Sequence, residues 1–163
     1  MSSALNTDGR VLHGWDPENE ETWDSAIAWR TLWITTITLF MAFCTWYLVA
    51  AIAPVLNQIG FDLSTSQLYW LTSLPGLAGG LLRLIFMFLP AIMGTRKLVA
   101  MSSLLFVIPM MGWFFAVQNT DTPFWWLLVL AFLTGIGGGV FSGFMPSTGY
   151  FFPKRLSGTA LGL

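Results

Sequence analysis

An all-α membrane protein is the fold class the sequence predicts, and three observations predict it. Of its 163 residues 55% are hydrophobic and only 9% charged, with a mean hydropathy of +0.69, whereas soluble domains carry roughly 25% charged residues. Several apolar runs reach the ~20 residues that a helix needs to cross a ~30 Å hydrocarbon core. These runs are continuous and do not alternate, which excludes the ten-residue strands of a β-barrel. Lipid satisfies no stray backbone group, so the spans must be helical.

The first 30 residues are a polar tail. Six of the eight acids fall there, namely Asp8, Asp16, Glu18, Glu20, Glu21 and Asp24. A secretory signal peptide would start basic, so the tail is expected to stay uncleaved and cytoplasmic. Within it, Asp16 is placed to cap, Pro17 suits a first helical position, and the glutamates favour a helix start, which predicts a short helix from about Pro17. Trp23, Ile27 and Trp29 would seat that helix at the membrane surface.

The first span is expected over about 31–56, followed by the loop Asn57-Gln58-Ile59-Gly60-Phe61-Asp62-Leu63. Ser64 and Gln67 have capping-box spacing and start a second span over about 65–93. The turn Gly94-Thr95-Arg96-Lys97 leads to a third over about 98–117. After the polar loop 118–122, Pro123 opens a fourth over about 123–152, which breaks at Pro153-Lys154-Arg155. A fifth helix is expected from about Ser157, so the chain reads as four complete spans and the start of a fifth, an incomplete amino-terminal portion. Arg30, Arg96, Lys97, Lys154 and Arg155 flank the spans on one side, while the loops on the other hold Asp62 and Asp121 and no Lys or Arg. That asymmetry places the amino terminus in the cytoplasm.

Chemistry-bearing residues are few. Cys44 is the single cysteine and lies in the first span, so neither a disulfide framework nor a thiolate metal site is expected. The single histidine, His13, lies in the tail and is assigned no role. No nucleophile–base pair or metal set points to an enzyme, and no basic stripe to nucleic acid; no cofactor is expected.

Arg83 is the exception. It lies about thirteen residues, or roughly 20 Å, from the basic turn at Arg96, too deep for its side chain to reach the interface. An arginine at mid-bilayer costs about 2.5–3.5 kcal/mol or more, so such residues line a cavity or pair with something. Gly76, Gly79, Gly80 and Arg83 share one helical stripe, and the glycines would admit a neighbouring helix. Two readings stand: an anion site, or a buried ion pair. Guanidinium suits small planar oxyanions because it stays charged and offers parallel N–H donors to two oxygens. The acids beyond the tail, Asp62 and Asp121, lie in the opposite loops.

The run Gly135-Ile136-Gly137-Gly138-Gly139-Val140-Phe141 in the fourth span lacks the spacing and the preceding strand of a nucleotide-binding loop. Gly135, Gly138 and Gly139, with Ser142, make a small-residue face where two helices can touch. Phe141 would overhang that face, either as packing or as a substrate contact.

Taken onward through Ser142-Gly143-Phe144-Met145, Tyr150-Phe151-Phe152-Pro153-Lys154 and Gly158-Thr159-Ala160-Leu161-Gly162-Leu163, this run resembles the signature of the nitrate/nitrite porter family of the major facilitator superfamily. Trp15-Asp16-Pro17-Glu18, Ala42-Phe43-Cys44-Thr45-Trp46, Leu71-Thr72-Ser73-Leu74-Pro75 and Phe115-Ala116-Val117-Gln118 are similar to further family segments. The general superfamily motif is reduced here to Gly94-Thr95-Arg96-Lys97. The resemblance implies a multi-pass inner-membrane transporter of twelve or fourteen spans in two halves, of which this chain is the first third. It implies nitrate and nitrite as substrates, with Arg83 as the substrate arginine of the second span and Phe141 as an aromatic packed on the anion. A second arginine would come from the missing carboxy-terminal part. Gly158 and Gly162 belong to the same signature. Nitrate/nitrite exchange is the expected activity, in the service of nitrate assimilation. Proton symport, transport of another small anion, and a truncated non-transporting membrane module remain as alternatives.

Overall fold

The computed structural model describes residues 15–162, with Ser147 by its backbone alone. His13 and Asp8 therefore lie outside the described residues. The described chain is helical, and four stretches are long and apolar enough to cross a membrane: Ser25–Ile59, Thr65–Phe86, Leu89–Ala116 and Phe124–Phe151. Outward-facing Ile34, Ile37, Phe40, Leu84, Ile92, Leu104, Ile108 and Phe115 leave the surface itself apolar, as suits helices whose solvent is lipid.

Helix α1, Ser25–Leu56, starts earlier than Thr31 because Asp24 caps it, its carboxylate accepting from the backbone N–H groups of Ala26 and Ile27 at 2.9 and 3.3 Å. A 3₁₀ turn, Asn57–Ile59, follows. Gly60 then takes φ 109°, a left-handed conformation that glycine adopts at little cost. The Asn57 side chain closes this loop by bonding both backbone groups of Leu63. The Ser64–Gln67 capping box is formed, and α2 runs Thr65–Phe86.

The second span is interrupted before the expected Met93, although helix returns over 89–93 up to Gly94. Pro90 has no N–H to give the Phe86 carbonyl, so the helix lapses into a turn at Met87–Phe88. Helix α3, Leu89–Ala116, contains a second break at Gly94, with φ 77° and ψ 156°. The expected four-residue turn is thus concentrated in one glycine, and helix resumes at Thr95. The fourth span, expected as one helix, is three: α4 Phe124–Thr134, α5 Ile136–Gly139 and α6 Phe141–Phe151. Bonds from Gly135 to the Phe132 carbonyl, Gly138 to Gly135 and Gly143 to Val140 tighten the junctions to a 3₁₀ pattern. Helix α7, Lys154–Gly162, begins directly after Pro153 and not at Ser157.

The loops 57–63 and 118–122 lie at one end of the bundle, where a Cβ on Gly60 would stand 3.2 Å from Thr120 Cγ2. A core of Val49, Leu56, Leu71, Trp113 and Leu127 fills that half. Phe86, Leu98, Phe106, Val140 and Phe144 form a second core. The third, Ala28, Leu32, Phe152 and Ala160, closes the end where α7 begins.

The tail helix expected from Pro17 is absent. Asp16 and Asn19 instead turn their side chains onto the backbone N–H groups of Glu18 and Glu21, each at 3.0 Å, and these local turns compete with helix. The turned segment packs on the chain itself. Trp15 and Trp23 donate their indole N–H groups to the carbonyls of Tyr150 and Phe151 at 3.1 and 3.0 Å, and Trp29 meets Phe152 edge to face. Glu18 accepts the backbone N–H of Lys154 at 2.8 Å. That supplies an acceptor at the start of α7 that the apolar ring of Pro153 cannot provide. The Glu20–Arg155 pair beside it is exposed at both partners, 78% and 61%, and contributes at most about 1 kcal/mol. Trp23 and Trp29 are thus partners of Phe151 and Phe152 in the third core rather than anchors of a free surface helix.

Candidate anion site

Arg83 sits in the last turn of α2, half-buried, where α1, α2 and the broken fourth span meet. Its Nε donates to the Gly138 carbonyl at 3.1 Å. Its guanidinium carbon lies 5.6 Å from the ring centre of Trp46 on α1 and 5.6 Å from that of Phe141 on α6, within cation–π range of both. Phe43, one turn before Trp46, closes the aromatic group, 5.8 Å from Trp46 and 6.1 Å from Phe141. Ser142 donates to the Arg83 carbonyl, with its Oγ 3.0 Å from that oxygen and from the Gly139 carbonyl, tying the end of α2 to α6.

Two features leave this guanidinium chemically available. Among the described residues the one ion pair is Glu20–Arg155, so Arg83 has no carboxylate to neutralise it there. Among the same residues its hydrogen bond is made through Nε alone, so both terminal nitrogens keep their donors. A half-buried cation with a free pair of parallel N–H groups, walled by aromatic faces, is equipped to take a planar anion through two oxygens.

The glycines divide into two groups. A Cβ on Gly79 would stand 3.2 Å from the Gly135 carbonyl oxygen and from Trp46 Nε1; one on Gly135 would stand 2.5 Å from Ala78 Cβ and 2.9 Å from the Gly79 nitrogen. Gly138 would meet the Trp46 ring at 2.6 Å and Gly139 the Leu82 Cβ at 2.7 Å. These four make close approaches. Gly76, Gly80, Gly158 and Gly162 have nothing within 4 Å of such a Cβ, so the close packing expected at them is not formed within the described chain. Gly76 and Gly80 lie on an exposed face of α2 that continues to Arg83.

Sequence reasoning brought Arg83 and Phe141 forward, and the two do lie together. It gave no site role to Trp46 or Phe43. Phe43, Trp46 and Tyr47 recur at helical spacing on α1, but aromatics on a lipid-facing helix are ordinary, and only proximity to Arg83 singles two of them out. Gly137 faces the Ala42 carbonyl so closely that a Cβ has no room.

The sequence profile of the Major Facilitator Superfamily matches residues 34–163. The probable nitrate/nitrite antiporter NarK2 of Thermus thermophilus is 64% identical over 155 residues, covering 95% of this chain and 35% of the relative. The nitrate/nitrite transporter NarU of Salmonella typhimurium is 42% identical over 156 residues, 94% of this chain and 34% of its own length. The probable nitrate transporter NarT of Staphylococcus aureus is 27% identical over 132 residues, 81% of this chain and 32% of its own length. The chain therefore spans about a third of the length of these relatives.

Proposed function

This chain belongs to the Major Facilitator Superfamily, and on that premise we propose that it is the amino-terminal part of an inner-membrane nitrate/nitrite porter that exchanges the two anions by alternating access. The observation that carries the reading is Arg83, held under Trp46 and Phe141 with no acid partner among the described residues and with its terminal N–H pair free. The names of the relatives, nitrate/nitrite antiporter and nitrate/nitrite transporter, support the choice of anion.

Superfamily transporters place substrate near the midplane between two halves that rock about it. Arg83 would bind one side of the anion with paired N–H···O bonds, and a cation from the second half would bind the other. The anion offsets two buried positive charges, so the loaded site closes readily while the empty one resists closing. A carrier that moves only when loaded is an exchanger. No Asp, Glu or His lies in the spans of this chain to carry a proton, the acids after the tail being Asp62 and Asp121 in the loops, and this third of the porter thereby favours exchange over proton symport.

The test is counterflow in liposomes containing the full-length transporter. External nitrite is expected to accelerate release of preloaded nitrate, and a protonophore is expected to leave the rate unchanged. Release that requires a proton gradient would replace exchange with symport. For orientation, cysteines placed singly at Asp62 and Asp121 in a Cys44→Ser background should label from outside the cell. Those at Arg96 and Lys154 should label only after permeabilisation; external labelling at Arg96 would invert the topology.

A further inference from the structure

We propose that Trp46 is a positioning residue that holds the Arg83 guanidinium against the Gly138 carbonyl, so that its terminal edge faces the anion, and thereby sets the preference of the site for planar oxyanions over spherical ones. The proposal rests on the anion-site reading above and goes beyond it, to the origin of selectivity.

The indole is held from three directions. Its Nε1–H donates to the Pro75 carbonyl at 3.0 Å. Its ring occupies the space that side chains on Gly79 and Gly138 would need, at 3.2 and 2.6 Å, so these glycines form a slot in which it is seated. Phe43 and Tyr47 pack against it at 5.8 and 5.2 Å. An indole set this firmly is a platform, and the guanidinium lies 5.6 Å from its centre.

Gly138 links platform and cation. The residue whose missing side chain admits Trp46 is also the one whose carbonyl accepts from Arg83 Nε at 3.1 Å. The ring therefore confines the guanidinium from one side, and the carbonyl beside it holds the Nε edge. A guanidinium can offer paired donors along its Nε side or along its two terminal nitrogens. With Nε committed to Gly138, the terminal edge remains. Two parallel donors on that edge match two oxygens of nitrate, nitrite or formate, whereas a halide is one spherical centre on which both N–H groups must converge, so neither bond is straight. Removing the platform frees the guanidinium to rotate, which lowers affinity for planar anions and leaves charge attraction to a halide nearly as before.

The experiment titrates purified full-length transporter with sodium nitrate, sodium formate and sodium chloride, read by ligand-dependent thermal stabilisation. Trp46→Leu is expected to weaken nitrate and formate about tenfold while chloride changes less than about twofold, the loss expected of a displaced cation–π platform. Trp46→Phe keeps a ring face but loses the bond to Pro75, and is expected to weaken nitrate by about threefold. A purely structural role would lower ligand-free stability and leave the nitrate-to-chloride ratio alone. An unchanged ratio in folded Trp46→Leu overturns the proposal; if that variant does not fold, an unchanged ratio in Trp46→Phe does so. Arg83→Ala separates the two claims. Nitrate binding as strong as wild type in Arg83→Ala would remove the anion site itself, and the role of Trp46 with it.

Discussion

Arg83→Lys in the full-length transporter is expected to lose most nitrate binding and exchange, roughly 10- to 100-fold, while the protein still inserts and folds. Lysine keeps the charge but replaces a planar fork with a compact ammonium, which cannot set parallel donors on two oxygens. One charge-assisted hydrogen bond contributes about 1.5–3 kcal/mol, which corresponds to that range of affinity. Lysine also lacks the Nε that reaches the Gly138 carbonyl, so it would hold its ammonium differently beneath Trp46 and Phe141. The three readings of Arg83 separate in one series. A site working by charge alone would keep much of its nitrate affinity with lysine. A structural ion pair with an acid elsewhere in the transporter would make Arg83→Ala about 3–5 kcal/mol less stable even without ligand, because the partner charge would be left buried and alone. The bidentate site predicts instead that Arg83→Ala abolishes nitrate-dependent stabilisation and changes ligand-free stability little. Near-normal exchange by Arg83→Lys would remove the bidentate account.

Gly137→Ala is expected to be the most damaging of the small substitutions in the bundle. The added methyl would fall on the Ala42 carbonyl oxygen, with the Trp46 Cβ only 3.1 Å away on another side. Both neighbours belong to α1, and a backbone carbonyl cannot rotate aside as a side chain does. Overpacking costs about 1–3 kcal/mol where side chains can adjust, and occasionally more; a clash against backbone places Gly137→Ala at or above the upper end. Gly80→Ala is the control. Nothing lies within 4 Å of its Cβ position, so within this bundle the change should be neutral or stabilise by about 0.5–1 kcal/mol through helix propensity. Thermal unfolding in detergent compares them directly. Wild-type stability in Gly137→Ala would contradict the helix contact described here. A large loss in Gly80→Ala would mean that another part of the transporter packs on the open face of Gly76 and Gly80.

The sequence was most legible where a residue is costly in lipid. Arg83 stood out because a cation far from either flank demands an explanation, and Phe141 because it followed glycines that thin the same face; the two are neighbours in space. The membrane-length apolar runs showed the class for the same reason. Details governed by one competing bond were harder to read. Pro90 ends α2 through a donor it lacks rather than through any change in hydropathy, and Asp16 and Asn19 draw the tail into turns although its composition suits a helix start. The glycine stripe shows the limit most clearly. Periodicity puts Gly76, Gly79 and Gly80 on one side of α2, but only Gly79 meets a neighbour here, since periodicity carries no information about which helix arrives or at what height. Trp46 was hidden because an aromatic on a membrane helix is commonplace until something is found beside it.

The most direct test of the central claim reads the Arg83 nitrogens themselves. In full-length transporter with ¹⁵N-labelled arginine side chains, reconstituted in lipid, the Arg83 resonances are assigned by their loss in Arg83→Lys and followed during a nitrate titration. The account predicts a saturable shift of the two terminal nitrogens with little change at Nε, which stays on the Gly138 carbonyl, and a smaller shift, needing a higher concentration, with chloride. Terminal Arg83 nitrogens that do not respond to nitrate, in a protein that still exchanges it, would contradict the account.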